Sequence, residues 1–558
     1  MIVPMKHLDL VCVASEKEAT LEKLRALGVV HLDLASTSAA PVAAAEGDLA
    51  DAEKAVRIVL KARGRRDDLE IRPRAVAEVL AIDADRATLV AEKDRLEKVI
   101  SGLEPYGDFD PELAKRLRES VEGLDDVVPL PEKLPEMRLS RLREKLARVE
   151  NRINIDTDKI ASSDDRAMLA SYPALRDRIA FERARELLSD RGAVSVISGW
   201  IPETRVKDLM DVVTSAKSDL FERTKAIGWG VLLRDPAEGE TPPTLVEPPR
   251  AFRAMKALFD GLGISPGYTE ADVSVPFMCY FSLFFAMLVG DGAYGAIFLA
   301  ATLALRKKLP KAWFVLLTVF SSATVLWGVL SNTWFGAGIP WCAGWPTVAW
   351  LADPSYHNMM MLCFTIGVSH LMLARIWNGI CRCPDSTCLA EFGWAGVLLF
   401  MYFVTNSIVG IFPSIPKPMF WVFGVSLVLV FGFTVKPSEL KTRGAELGML
   451  PLNVMSALGD IISYVRLFAV GLASVKVAEN FNSMATGLVA GADAVWVKAL
   501  MSVAMVAILL VGHGLNIAMA GLSILVHAVR LNTLEFSNHK GISWAGYAFS
   551  PFKKTAMR

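Results

Sequence analysis

Apolar residues follow two regimes along this chain. Up to about residue 270 they come at strand or helix spacing, with Asp, Glu, Lys and Arg between them; beyond it they run together in long stretches. In the first regime, alternation over 5–12 predicts a strand. Leu21, Leu24 and Leu27, with Gly28 as the stop, predict a helix over 16–28. Val29 to Leu34 reads as a second strand, giving a small α/β lobe. Leu49, Ala52, Val56 and Val59 then recur at three- and four-residue steps in 47–66. Similar patterns hold Ala87, Leu89, Leu96 and Val99 in 84–101, and Leu139, Leu142, Leu146, Val149 and Ile153 in 137–158. A fourth runs through 173–189. Amphipathic helices of this length fit an antiparallel coiled-coil arm, with the Gly-, Pro- and acid-rich 102–134 at its far tip. The strand-like AVSVISGWI at 193–201 and a helix over 203–222 then complete the lobe.

The second regime is counted against a bilayer, which takes about 20 apolar residues per helix. Candidates are 312–333, 357–379, 390–411, 418–435, 449–478 and 495–531. The stretch 273–305 is interrupted by Gly290, Asp291 and Gly292, a poor sequence for mid-bilayer helix. It is split into a hairpin, 273–289 and 291–305, with a structural turn buried in protein. The expectation is therefore a multi-domain membrane protein: a soluble α/β and coiled-coil domain over 1–270, then an all-α domain of eight transmembrane helices over 271–558, the last ones long and tilted. Loop charge agrees. With the N-terminal domain inside, Arg306, Lys307, Lys308, Lys311, Arg375, Arg382, Lys436, Lys441, Arg443 and the tail's His539, Lys540, Lys553, Lys554 and Arg558 fall on one side. Segment 334–356 and segment 479–494 on the other side hold no Lys or Arg.

Composition narrows the function. The 558 residues carry zero net charge and no face-wide basic excess, so no nucleic-acid partner is expected. The seven cysteines are scattered; Cys381, Cys383 and Cys388 in CRCPDSTC lack the pair spacing and fourth ligand of a metal site. The N-terminus has no cleavable signal, so the soluble half is expected in the cytoplasm. No phosphate loop of the Walker type and no nucleophile–base arrangement is present, so this chain does not itself hydrolyse ATP and is expected to bind no cofactor.

Arg466 is the residue that asks for a function. It lies mid-way in the apolar run GDIISYVRLFAVGLASVKVAEN, where snorkelling to either surface is difficult. Gly459, Ser463 and Ala473 share its face and keep it small, which suits a passing helix that carries a carboxylate. Arg530 sits in the last apolar stretch with His527 one turn before it and Glu535 beyond, and His513 and Asn516 lie farther up. Asp460, Lys476, Glu479 and Asp493 are candidates for lining the ion's entrances. The histidines read as hydrogen-bonded polar residues rather than metal ligands.

Several segments together carry a family resemblance: MIVPMKHLDLVCV and LRALGVVHLDL near the start, GWIP at 199–202, FFAMLVGDGAYG at 284–295, SYVRLFAVGLA at 463–473 and HAVRLNTLEF at 527–536. The chain resembles subunit I, also called subunit a, of the rotary V-type and A-type ATPases. The resemblance implies a stator beside a rotor ring of small membrane subunits, in a prokaryotic plasma membrane. It also implies peripheral stalk subunits, a central stalk or collar subunit, and indirectly a soluble ATPase head as partners. Arg466 maps to the arginine that meets the ring carboxylate and Arg530 to an assisting one, between two half-channels for H⁺ or Na⁺. Ser474 stands where some relatives have a histidine, so a histidine relay after Arg466 is not implied. The coiled-coil arm is also shorter than usual. The alternatives are a stand-alone secondary transporter with a regulatory domain, for which the Gly290–Gly292 break would mark the substrate site, and a membrane-anchored adaptor that conducts nothing.

Overall fold

The computed structural model describes residues 1–32, 40–64, 70–120, 131, 133–213, 229–340, 345–351, 353–436, 440–490 and 495–554. Two compact units emerge. One comprises residues 5–236 with the segment from Ser550, the other residues 237–549 with the first four.

In the first unit, strands β1 (Met5–Val13), β2 (Ser189–Arg191), β3 (Val194–Pro202) and β4 (Gly230–Arg234) form one antiparallel sheet in the order β2-β3-β1-β4. The register sets His7 opposite Trp200 on one side and Arg234 on the other. Alternation along β1 sends Leu8, Leu10 and Cys12 to one face, where they pack with Ile197, Ile201 and with Leu21 and Leu24 of α1 (Lys17–Leu27). Helix α1 stops at Gly28 in the left-handed conformation, φ 62°, whose N–H caps Leu24. The expected second strand over Val29–Leu34 does not form. Only His31 bridges to Trp200, through two backbone hydrogen bonds of 2.8 Å, and residues 33–39 lie outside the described part. The bridge falls on β3, beyond the end of its short ladder with β2. Strands β2 and β4 were not legible as strands in the sequence. The far part of the expected helix over 203–222 lies outside the described residues.

The amphipathic stretches form two antiparallel helix pairs. Helix α2 (Ala40–Arg63) lies along α6 (Asp165–Leu187), with Glu46–Arg183 at one end and Arg63–Asp165 at the other, 2.5 and 2.7 Å. Helix α3 (Val76–Leu103) lies along α5 (Leu139–Ala161), with Glu104–Arg143 at 2.9 Å and Lys93–Glu150 at 2.7 Å; a short α4 (Pro111–Ser120) follows α3. Arg63–Asp165 is partly buried; the exposed pairs contribute about 0–1 kcal/mol each, so they select the pairing direction more than they hold it. The seams hold it: Val56, Val59 and Met168 in one, with Ile160 of α5 packed against them, and Leu96, Ile100, Leu103, Leu142 and Val149 in the other. Residues 121–130, in the expected tip, lie outside the described part.

The second unit is helical: α7 (Met255–Leu262), α8 (Ser274–Val289), α9 (Gly292–Ala304), α10 (Lys311–Ser331), α11 (His357–Arg382), α12 (Cys388–Ile408), α13 (Lys417–Phe433), α14 (Leu440–Ile462), α15 (Val465–Ala490), α16 (Val495–Ser523) and α17 (Ser537–Lys540). Five helical stretches among the described residues are long and apolar enough to cross a membrane, and α8 with α9 makes a sixth, broken one, bent by 119°. Helix α13 is apolar but has only 17 residues. Stretches 447–489 and 496–540 are 43 and 45 residues long. At about 1.5 Å per residue each exceeds 60 Å, roughly twice a bilayer core, so they must lie strongly tilted if they stay within it. Their outward faces are apolar: Val503, Leu510, Val511, Leu522 and Leu525 are all more than half exposed. A surface of that kind calls for lipid or another apolar partner.

Candidate functional site

Helix α14 ends at Ile462 and α15 begins at Val465, so the run continues through Arg466 as one 43-residue stretch, with its α ladder interrupted locally at Ser463–Tyr464. The break fixes the arginine. Its backbone N–H and its Nε both donate to the Ser463 carbonyl, at 3.3 and 3.0 Å. The fully buried Tyr464 anchors the same turn; its hydroxyl meets His370 Nδ1 at 2.9 Å. The Tyr464 ring lies over Gly367, where any Cβ would come within 2.6 Å of it, so only glycine admits this seat.

Arg466 Nη2 donates to Glu535 Oε1 at 2.8 Å. The same oxygen lies 3.5 Å from Arg530 Nε. Glu535 is buried, Arg466 is about one-fifth exposed and Arg530 more than half exposed. One carboxylate thus serves two guanidinium groups, leaving the trio a net positive charge. Glu535 Oε2 is buried with no hydrogen-bond partner among the described residues.

The backbone around this trio is unusual. Ile524–Ala528 and Leu531–Phe536 are π-helical, which interrupts the α ladder on both sides of Arg530. Such insertions re-aim side chains and are frequent at functional sites. His527 lies in the first of them, its Nδ1 buried without a partner among the described residues. Gly459, Ala469 and Ala473 on the Arg466 helices, and Leu525 and Val526 on the last one, are exposed. The charge therefore stands beside an open surface of small and apolar side chains.

Asp460 lies one turn before the break. Its Oδ2 meets His539 Nε2 at 2.9 Å, and Arg375 Nε donates to His539 Nδ1 at 3.0 Å. Glu391 pairs with Arg375 at 3.1 Å and with Arg382 at 2.8 Å. Asp460, His539, Arg375, Asn453 and Ser456 line a cavity of about 390 Å³. His539, counted in the sequence as a charge of the tail, is buried here, and Lys540 stacks over Trp377 at 4.6 Å. Hydropathy and loop charge carry no signal for such pairings between distant helices. Lys476 and Glu479 form an exposed ion pair of 2.7 Å on α15, away from the arginines. Asp493 lies outside the described residues.

The Gly290–Asp291–Gly292 turn is buried. Gly290 adopts φ 70° and packs against Gly471, one turn beyond Arg466. Asp291 Oδ1 accepts from the backbone N–H of Ala293 and Tyr294, and Oδ2 from that of Gly336 at 2.8 Å. Asp291 is thus the N-cap of α9. The structure brings together Arg466, Arg530 and Glu535, places Asp460 in the cavity beside them, and leaves Lys476 and Glu479 apart.

No family model matches the chain. It is similar to a V-type ATP synthase subunit I from Borreliella burgdorferi, 32% identical over an alignment 401 positions long that covers 67% of this chain and 63% of that protein. It is 27% identical to V-type ATP synthase subunit I 1 of Treponema pallidum over 99% of this chain and 100% of that protein. The A-type ATP synthase subunit I of Methanocaldococcus jannaschii is 23% identical over 83% of this chain and 68% of its own length. The chain thus aligns with a little under two thirds of the first relative and with the full length of the second.

Proposed function

We propose that this chain, which aligns over nearly all its length with one V-type ATP synthase subunit I, is the stationary membrane subunit of a rotary ATP synthase or ATPase. It couples passage of H⁺ or Na⁺ to the turning of a ring of small membrane subunits. It binds no cofactor and makes or breaks no bond itself. The observation that carries the reading is Arg466 beside an open small-residue surface, with Arg530 and the shared Glu535 behind it.

A guanidinium stays charged at every working pH. It favours the ionised form of a carboxylate that approaches it, so a ring site arriving at Arg466 gives up its ion. The ionised site is costly in lipid, so it reloads before moving on. Two half-channels serve these steps. One ends at the cavity of Asp460 and His539 on the cytoplasmic side; the other opens past α15 and α16 on the outer side. The helix α8–α9 pair and α13 complete eight membrane-crossing elements, with both termini cytoplasmic. The antiparallel helix pairs of the soluble unit form the coiled-coil arm that joins the peripheral stalks and a central stalk or collar subunit, and so resists rotation.

The experiment is affinity purification of the tagged chain from native membranes. A ring subunit and the ATPase head subunits should come with it; isolation alone, with transport activity in vesicles, would instead make it an independent transporter. Within the complex, replacing Arg530 by Gln should slow ATP-driven ion pumping about tenfold. Its exposed charge acts across partly screened distance, worth on the order of 1–2 kcal/mol at the ring site. Pumping measured in reconstituted vesicles at the wild-type rate would remove Arg530 from the site.

A further inference from the structure

Next to the Arg466 turn lies a side chain that packing alone does not account for. His370, on α11, is fully buried. Its ring stacks on Tyr280 at a centroid distance of 4.1 Å and on Phe536 at 4.4 Å, with the planes 26° and 11° apart. Two rings that close cannot share one face of an imidazole, so Tyr280 and Phe536 cover opposite faces. Phe284 meets the His370 ring in a T arrangement at 5.5 Å and the Tyr464 ring at 6.0 Å. His370 Nδ1 lies 2.9 Å from the Tyr464 hydroxyl, while Nε2 is buried with no partner among the described residues.

An orphaned polar nitrogen destabilises a buried site. A phenylalanine would fill the slot between the two rings without that cost; what it could not do is bond Tyr464. The consequence of that bond is positional. Tyr464 stands two residues before Arg466, in the local interruption of the helix, and its carbonyl accepts from the Leu467 N–H at 3.0 Å. The carbonyl before it, that of Ser463, holds both the backbone N–H and the Nε of Arg466. Phe536, on the other side of the imidazole, directly follows Glu535 in the same π-helical turn. His370 thus touches the neighbours of both members of the Arg466–Glu535 pair, which lie 69 positions apart in the chain and are joined at 2.8 Å. It does so from α11, a helix that carries neither.

We propose that His370 is a positioning residue for the Arg466–Glu535 pair: it bonds Tyr464 at its rim, stacks on Phe536 with one face, and so sets how the guanidinium stands at the open surface. The proposal rests on the stator reading and adds to it a residue that acts only through its neighbours. With the Tyr464 hydroxyl tied down, the Ser463–Tyr464 turn cannot rotate, and Arg466, bound to the Ser463 carbonyl, cannot swing away from Glu535. Gly367, which admits the Tyr464 ring, lies one turn before His370 on the same helix, so the seat and its lock share one face. The hydrogen between Nδ1 and the phenol oxygen sits on either atom according to the imidazole tautomer. An asparagine amide carries both an acceptor and a donor close to the place of Nδ1 and can serve in either case.

The test measures ATP-driven ion pumping by the assembled complex in sealed vesicles. His370→Leu, which fills the slot and bonds nothing, should assemble with the ring and pump about tenfold more slowly, the order of cost of a reacting group set slightly out of place. Tyr464→Phe removes the same bond from its other end and should slow pumping to the same extent. The double variant should be no slower than either single one, because both delete one interaction. His370→Asn should recover most of the wild-type rate although it fills the slot less well than leucine, which a merely structural role would not allow. Tyr464→Phe at the wild-type rate, a double variant slowed about a hundredfold, or His370→Asn no faster than His370→Leu would overturn the positioning role. Should His370→Leu fail to assemble, the Tyr464→Phe rate decides alone: a slowed complex supports the role and a wild-type rate overturns it. All these outcomes leave the stator reading standing; that reading fails separately, if Arg466→Ala pumps normally.

Discussion

On the proposed stator role, replacing Arg466 by Ala is expected to abolish ion-coupled ATP synthesis and ATP-driven pumping while leaving the complex assembled. The size of the effect follows from its charge. Two unit charges about 4 Å apart at an effective dielectric near 20 interact by about 4 kcal/mol. That corresponds to roughly three pKa units on a ring carboxylate facing the arginine. Without it, the ionised fraction of that carboxylate falls about a thousandfold at a fixed pH, and the ring site passes the stator still loaded. Coupled transport in vesicles should therefore drop below detection, with ATP hydrolysis by the head either stalled or running free of transport. Assembly should survive, because Arg466 is partly exposed and its nearest protein bonds are to Ser463 and Glu535. Arg466→Lys should recover little. An ammonium keeps the charge but loses the fork that spans the Ser463 carbonyl and Glu535 together. Pumping by the alanine variant at even a tenth of the wild-type rate is incompatible with this assignment.

Much of this architecture was legible in the sequence, because it is written in periodicity. The heptad-like steps of Val56, Val59, Leu96, Leu142 and Val149 mark the seams that the helix pairs close. The GDG interruption marks the bend between α8 and α9. A lone cation in an apolar run marks Arg466. What the sequence left unreadable is of two kinds. Short edge strands such as Ser189–Arg191 carry too few residues for an alternation to stand out. Pairings between remote helices carry no local signal at all: Asp460 with His539, Tyr294 with His513, and Tyr464 with His370 join residues dozens to hundreds of positions apart. The π-helical turns around Arg530 are equally silent, since they shift side chains by one position without changing composition. The turn at Ser463–Tyr464 was missed because neither residue is a strong breaker. It is held by tertiary packing of the tyrosine over Gly367. Fold class followed from local pattern, then, while the arrangement of the site followed from contacts that only the folded chain makes.

Replacing Glu535 by Gln should slow the motor without making it leak, an outcome opposite in kind to the loss of Arg466. In the structure Glu535 is the acceptor that Arg466 holds when no other carboxylate is there, and Arg530 shares it. On the proposed stator role, a ring carboxylate that reaches Arg466 must compete with this resident one, and competition lets it depart again. The amide is isosteric but uncharged, so it still accepts a hydrogen bond from Arg466 while no longer offsetting its charge. The guanidinium then holds the ring carboxylate more tightly, by about 1–2 kcal/mol once partial solvent exposure is allowed for. That is a release roughly 5- to 30-fold slower. Turnover of the coupled complex should fall by a similar factor, with the number of ions moved per ATP unchanged. Glu535→Asp shortens the reach by one methylene yet keeps the charge, and should recover part of the rate. The decisive measurement is ion flux and ATP consumption in the same vesicles. A Gln variant that hydrolyses ATP at the wild-type rate but moves fewer ions would mean that Glu535 serves to hold Arg466 in position against leakage. The resident-competitor role would then be lost.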